Sequence, residues 1–265
     1  MKLKYSCTLL TFIVALSICS QNKTKEPTIV KVLSFNILHG ATMKGDFDLD
    51  VLAKVVKDTD PDLVAMQEVD YQTNRAKKYD LMTELGWRTK MASLFGRAMP
   101  YDGGEYGEGV LSKTTFLSSR NVVLPHSKGN EPRVALEVVT VLKSGDTIAF
   151  IGTHLDHLPE VKDRNSQAKK INKVFSSNRY PTIVAGDLNA TPGSEAIDIL
   201  ESVWQFSYDP NNIEPTFPSN NPRKKIDYVM TYPKKRWKVL KTQVIQDTLA
   251  TDHCVYLVTL ELRDK

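Results

Sequence analysis

The 265-residue sequence predicts an α/β fold organised as one two-sheet domain. Three features carry that prediction. Short, strand-forming apolar runs recur along the chain, and several stop abruptly at a carboxylate, an amide or an imidazole. Some are separated by segments with apolar residues at helical spacing. Between residues 87 and 141 the texture changes to consecutive β-like runs divided by turn residues, which implies antiparallel pairing. A hydrophobic fraction of 41% with 25% charged residues is enough for a sizeable core and argues against disorder.

Residues 1–19 stand apart from that domain. Lys2 and Lys4 precede the apolar run Thr8 to Cys19, which is too short to span a membrane and fits a signal peptide. Residues 20–28 follow as a short polar linker, and 29–265 form the folded domain. Leu16, Ser17, Ile18 and Cys19 resemble a bacterial lipobox, with Ile18 bulkier than usual. The expectation is an exported chain, either periplasmic or extracellular after ordinary cleavage near Cys19 or Ser20, or membrane-anchored through a lipidated Cys19. Removing residues 1–19 takes two of 35 basic residues and none of 31 acidic ones, leaving +2. That near-neutral body does not argue for non-specific nucleic-acid binding. Cys7 and Cys19 belong to the leader, so Cys254 has no internal disulfide partner and stability must come from the core.

The elements follow in order. Ile29 to Phe35 reads as a buried strand ending at Asn36. Asp48 to Val56 carries Leu49, Leu52, Val55 and Val56 at helical spacing, with Asp48 as its N-cap. Leu63 to Met66 is a short strand ending at Gln67 and Glu68, and Tyr79 to Leu85 a helix closed by Gly86. Strands are expected at Trp87 to Met91, Gly109 to Leu111, Asn121 to Leu124 and Arg133 to Val141, with turn tracts at Pro100 to Gly107 and Ser127 to Pro132. Lys143 to Asp146 turns the chain into a hairpin with Thr147 to Thr153. An amphipathic helix covers Pro159 to Phe175, and Thr182 to Ala185 is a buried strand that stops at Gly186 and delivers Asp187 and Asn189. Ser194 to Leu200 is a short helix, Thr216 to Lys225 a loop, and Ile226 to Met230 a strand containing Asp227. Trp237 to Val244 and Val255 to Leu260 complete the sheets, with Asp252 and His253 just before the last.

Asn36, Glu68, His154, Asp187 with Asn189, and Asp252 with His253 thus stand at the ends of separate apolar runs. Open α/β sheets bind ligands at such edges. Singly, each has an ordinary alternative: Asp187 an Asx-turn, Asn189 a helix cap, Asn36 a turn former, Glu68 a solvated strand end, His154 a core histidine. Jointly, they share one chemistry. Asp227, a carboxylate in a strand pattern, needs a partner, and a histidine is the natural one. Oxygen-rich donors with few soft ligands select Mg²⁺, Mn²⁺ or Ca²⁺ over structural zinc.

The ordered set Leu33–Ser34–Phe35–Asn36–Ile37, Gln67–Glu68, Thr153–His154–Leu155–Asp156, Gly186–Asp187–Leu188–Asn189, Ile226–Asp227–Tyr228–Val229 and Thr251–Asp252–His253 resembles the endonuclease/exonuclease/phosphatase superfamily. Pancreatic-type deoxyribonucleases, neutral sphingomyelinases and inositol-polyphosphate 5-phosphatases belong to that group. The resemblance spans Ile29 to Leu260. It implies a four-layer α/β sandwich, two mixed sheets face to face with helices outside, and metal-dependent hydrolysis of a phosphate ester with one or two ions, Mg²⁺ first, Mn²⁺ or Ca²⁺ as alternatives.

Carried over by position, Glu68 is the implied principal metal ligand, supported by Asn36 and Asp252. Asp187 and Asn189 are implied to position the water and phosphoryl group, Asp187 also serving a second metal. His253, oriented by Asp227, is the implied general base, His154 a donor to phosphate, and Arg133 a residue that reaches phosphate. Tyr106, Gly107, Leu111 and Ser112 also follow the family, whereas Glu108 stands where a small amide is common. The tract Arg223, Lys224, Lys225 could meet an anionic substrate, and Lys234, Lys235 and Arg236 read as a solvated turn. His39 and His157 are rim candidates, and His126 a surface residue.

The expected function is phosphodiester hydrolysis of a small molecule or lipid head group by a monomer with no obligate protein partner. The alternatives are a secreted endonuclease on DNA or RNA and a non-catalytic phosphoester-binding protein.

Overall fold

The computed structural model describes residues 26–264; the leader, Cys19 and most of the polar linker lie outside them. The elements run β1 (Thr28–Asn36), α1 (Leu49–Thr59), β2 (Leu63–Tyr71), α2 (Leu81–Thr89), β3 (Ala92–Tyr101), β4 (Gly104–Ser112), β5 (Phe116–Val123), β6 (Val134–Val141), β7 (Thr147–His154), α3 (Lys162–Phe175), β8 (Thr182–Asp187), α4 (Glu195–Glu201), β9 (Gln205–Phe206), β10 (Asp227–Tyr232), β11 (Trp237–Ile245) and β12 (Val255–Leu262). They form two six-stranded sheets, ordered β11-β12-β1-β2-β4-β3 and β5-β6-β7-β8-β10-β9. Each is mixed, because β1 pairs parallel with β2 and β7 parallel with β8 while their other neighbours run antiparallel.

Side-chain alternation along the strands builds the layers. In β1, Val30 and Val32 join Leu63, Ala65, Phe150, Ile183 and Val229 in the core between the sheets. Leu33 and Phe35 point the other way, against Leu52 and Val56 of α1 and Leu81 and Leu85 of α2. Ile151 and Val184 likewise turn outward to Ala168 and Ile171 of α3 and Ile197 of α4. Helices, sheet, sheet and helices therefore stack as a four-layer sandwich. Each large apolar side chain buried this way contributes about 1.5–3 kcal/mol.

The predicted architecture and most elements are present, with several local differences. Asp48 caps α1 as expected, accepting from the amides of Asp50 and Val51. Gly86, however, lies inside α2, which runs through Trp87 to Thr89 and closes on left-handed Lys90. A Cβ at Gly86 would sit 2.7 Å from Ser93 Oγ, so this glycine serves close packing. The strand expected at Trp87 to Met91 is consequently helix end, and β3 starts at Ala92. The tract read as a turn at Pro100 to Gly107 is mostly hairpin, turning only at Asp102 and Gly103. Strand β2 does not stop at Glu68 but continues to Tyr71, and Asp227 opens β10.

Candidate active site

The two parallel pairs place the C-terminal ends of β1, β2, β7 and β8 at one end of the sandwich. Antiparallel β10 and β12 begin there, and this end of the sandwich opens into a cleft of about 730 Å³ lined by Glu68, His154, Asp187, Asn189, Asp252 and His253. In β8 and β10, Asp187 and Asp227 are register partners. In β7 and β8, His154 pairs with Asp187.

Glu68 reaches the cleft through a β-bulge. Between Met66↔Gly109 and Val69↔Gly107 two residues of β2 oppose one of β4, and Glu68 adopts a left-handed φ of 58°. Such a bulge re-aims a side chain that regular pleating would bury. Asn36 donates to Glu68 Oε1 (3.1 Å), while its own Oδ1 accepts from the Leu38 amide. His39 Nδ1 lies 3.8 Å from Glu68 Oε2. Burial opposes the Glu68 carboxylate, but His39, His154, Asn36 and His253 outweigh it and hold its pKa down to about 2.

Gly186 precedes Asp187 for a steric reason: a Cβ there would lie 1.8 Å from the Thr153 carbonyl oxygen across the parallel pair. Asp187 does form the local turn, accepting from the Asn189 amide at 2.8 Å, and still faces both histidines. Its Oδ2 is 3.4 Å from His154 Nε2 and 3.7 Å from His253 Nε2. Burial raises the Asp187 pKa, and the two imidazoles and the Asn189 amide reverse that to about 2. Asn189 is left-handed (φ 46°), and its Nδ2 lies 2.9 Å from His154 Nε2 and 3.0 Å from the Leu155 carbonyl.

His253 Nδ1 sits 3.0 and 3.2 Å from the two oxygens of buried Asp227. The Phe217 ring, 4.8 Å away, packs against the imidazole. Burial disfavours the cation, yet Asp227, Asp187 and Asp252 push the imidazole up to about 10. The loop carrying Phe217 is tied down at Thr216, whose hydroxyl accepts from the amides of Ile226 and Asp227 and whose carbonyl accepts from the Cys254 amide. Half-buried Asp252 lines the same cleft. Burial, with nearby Glu68, raises its pKa.

Glu68, Asp187 and Asp252 thus bring hard oxygen donors to one cleft, with Asp227 behind His253, and burial first and Glu68 second raise the Asp252 carboxyl. Such a set fits a hard divalent cation. Asp187, Asp227 and His253 offer ligand atoms within 4.8 Å of one another, a group that could hold a metal ion.

Arg133 is 2% exposed. Its guanidinium is taken up by His154 Nδ1 (3.0 Å), Tyr106 Oη (3.4 Å), His157 Nδ1 (3.2 Å) and Glu131 (2.8 Å), a partner set made of protein side chains. Lys225 departs from the expectation of a substrate-facing basic tract. It is buried with Nζ 3.1 Å from the Tyr256 ring centroid, and burial lowers its pKa to about 7. Lys224 does line the cleft, as does His157. His126 is exposed, and Lys234–Arg236 form a surface 3-10 turn. One wall carries no local sequence signal: Arg75, paired to buried Asp70 at 2.7 and 2.9 Å, lies against the Tyr101 ring, 4.5 Å from its centroid. Tyr101 reaches Arg75 through the β3–β4 hairpin, whose Asp102 accepts from the Arg75 amide and the Asn74 side chain, and no spacing in the sequence links the two.

Residues 33–253 match the family described as Endonuclease/Exonuclease/phosphatase family. Solved structures share the fold. An endonuclease/exonuclease/phosphatase from Beutenbergia cavernae is 22% identical over 89% of this chain and 72% of its own, with a TM-score of 0.75. One from Bacteroides vulgatus is 23% identical over 89% of this chain and all of its own, TM-score 0.69. A mannosyl-6-phosphatase of Bacteroides thetaiotaomicron is 19% identical over 87% and 99%, TM-score 0.70.

Proposed function

The chain belongs to the endonuclease/exonuclease/phosphatase family, and on that premise we propose that it is a divalent-metal-dependent phosphodiesterase acting by His-assisted attack of water on a phosphate. One observation carries the reading. The His253–Asp227 pair, with Nε2 3.7 Å from Asp187, faces the same cleft as Glu68 and Asp252.

Glu68, with Asn36 and Asp252, would hold a divalent ion, Mg²⁺ in the first instance, and Asp187 would serve a second. When bound, the ion supplies electrostatic stabilisation of negative charge on phosphoryl oxygens. The protein groups do the rest. Asp227 fixes the His253 ring through Nδ1, leaving Nε2 as the nitrogen that handles the water's proton. Asp187 stands beside that nitrogen, where it orients the water. Asn189 and His154 border the position of the phosphoryl group. Phe217 covers one side of His253 and limits water access.

We also propose export, on the strength of Lys2 and Lys4 before the apolar run to Cys19. Mass spectrometry of the mature N-terminus would find a chain cleaved near residue 19, with or without lipid; an intact Met1 would end that idea. A small-molecule or lipid-head-group ester is favoured over nucleic acid by the near-neutral mature charge. Release of product from sphingomyelin, phosphoinositide and small phosphodiesters, beside plasmid nicking, under Mg²⁺ and Mn²⁺ tests this. Nicking as the fastest reaction would favour the endonuclease alternative, and inactivity towards every ester would favour a binding protein.

A further inference from the structure

We propose that Arg133 is a positioning residue that fixes the tautomer of His154, so that His154 keeps a lone pair at Nδ1 and presents an N–H at Nε2. Arg133 immediately precedes β6 and is buried against β7. Its Nη1 lies 3.0 Å from His154 Nδ1. A guanidinium carries donors and no acceptor, so this contact exists as a hydrogen bond only if Nδ1 accepts. The imidazole proton is then on Nε2.

The second nitrogen bears this out by a conflict. Asn189 Nδ2 lies 2.9 Å from His154 Nε2, so as oriented both neighbours donate to one ring. An imidazole with a single N–H has only one accepting nitrogen. The same Nδ2 donates to the Leu155 carbonyl at 3.0 Å, so the amide has a partner other than the ring, whereas Asp187 Oδ2, 3.4 Å from Nε2, can only accept. Nε2–H then faces Asp187 Oδ2 at 3.4 Å.

Arg133 itself cannot turn away. Glu131 holds Nη2 at 2.8 Å, and the segment bearing Glu131 is pinned to α3, where Asp163 accepts from Ser127 N, Ser127 Oγ and Asn130 Nδ2 at 2.7–2.8 Å. Tyr106 Oη accepts at 3.4 Å from the same Nη1 that meets His154. The chain from α3 to the cleft therefore ends in a histidine that gives a hydrogen bond to the phosphoryl group and leaves the water's proton to His253. That catalytic consequence rests on the phosphodiesterase reading; the tautomer does not.

The test uses the full domain labelled with ¹⁵N-histidine, its long-range ¹H–¹⁵N imidazole spectrum recorded near neutral pH without substrate, and His154→Gln to assign the signal. The expected pattern is a bare Nδ1 and a protonated Nε2. Arg133→Met should mix or invert it and lower kcat on bis-nitrophenyl phosphate about 100-fold with KM nearly unchanged. Arg133→Lys, which keeps a donor, should restore the parental pattern and part of kcat, and stands in should the Met variant not fold. A parental proton on Nδ1, an unaltered pattern in Arg133→Met, or a loss confined to KM would overturn the proposal. A parental protein with the expected pattern but no phosphoester hydrolysis would support the tautomer and defeat the activity.

Discussion

His253 shows what one residue can and cannot do here. Its Nδ1 is held by Asp227, which sets the ring orientation and tautomer. Asp227→Asn keeps the shape and removes the charge. Activity should fall by 10²- to 10⁴-fold on the order expected for a mis-set acid–base group, while the unfolding transition persists; kcat and thermal melts measure both. That a carboxylate in a strand pattern needs a histidine was readable from the residues, because a buried carboxylate demands a partner; that the partner is His253 was implied by the family resemblance. The aim of Glu68 was not: it depends on a one-residue mismatch between β2 and β4, and pairing register is not written in either strand alone. Lys225 was misread for a related reason. Its neighbours Arg223 and Lys224 are exposed, and the turn into β10 buries Lys225 against Tyr256.

At the level of elements, caps and close approaches decide boundaries. Asp48→Ala should cost about 1 kcal/mol in denaturant unfolding, because α1 loses the acceptor for two N-terminal amides. Gly186→Ala should be far worse, about 3 kcal/mol or a failure to fold, since its Cβ would overlap the Thr153 carbonyl. An alanine variant as stable as the parent would mean that β7 and β8 pair less closely than described. Strands ending in polar residues were legible because the apolar run and its stop are both local. The extent of α2 was not, since Gly86 satisfies a packing contact with Ser93 that only the β3 position reveals. The β9 strand, two residues long, leaves no pattern at all.

The whole molecule gathers four carboxylates and several histidines at one end, and its acid–base balance should show in stability. In metal-free protein Glu68 and Asp187 are held down to about 2, from 4.5 and 3.8. Unfolding lets them bind protons sooner, so their contribution is complete above about pH 4.5 and is lost as pH falls towards 2. His253 is raised from 6.5 to about 10, so its contribution is complete below 6.5 and is lost as pH climbs through 10. Lys225, lowered from 10.5 to about 7, opposes that upper loss, so the decisive limb is the acid one: urea midpoints in EDTA should fall steadily as pH drops from about 4.5 towards 2, and midpoints flat across that range would contradict the charge arrangement. The two-sheet sandwich was legible at this scale, and the convergence of Asn36, Glu68, His154, Asp187, Asn189, Asp227, Asp252 and His253 follows from its topology: two parallel pairs end where two antiparallel strands begin. The most direct test of the central claim is hydrolysis of bis-nitrophenyl phosphate by the parent, Glu68→Gln and His253→Ala, each with EDTA and then with added Mg²⁺ or Mn²⁺. The parent should turn over only with metal, and each folded variant should lose at least about 100-fold. Metal-independent turnover, or near-parental rates in either variant, would contradict it.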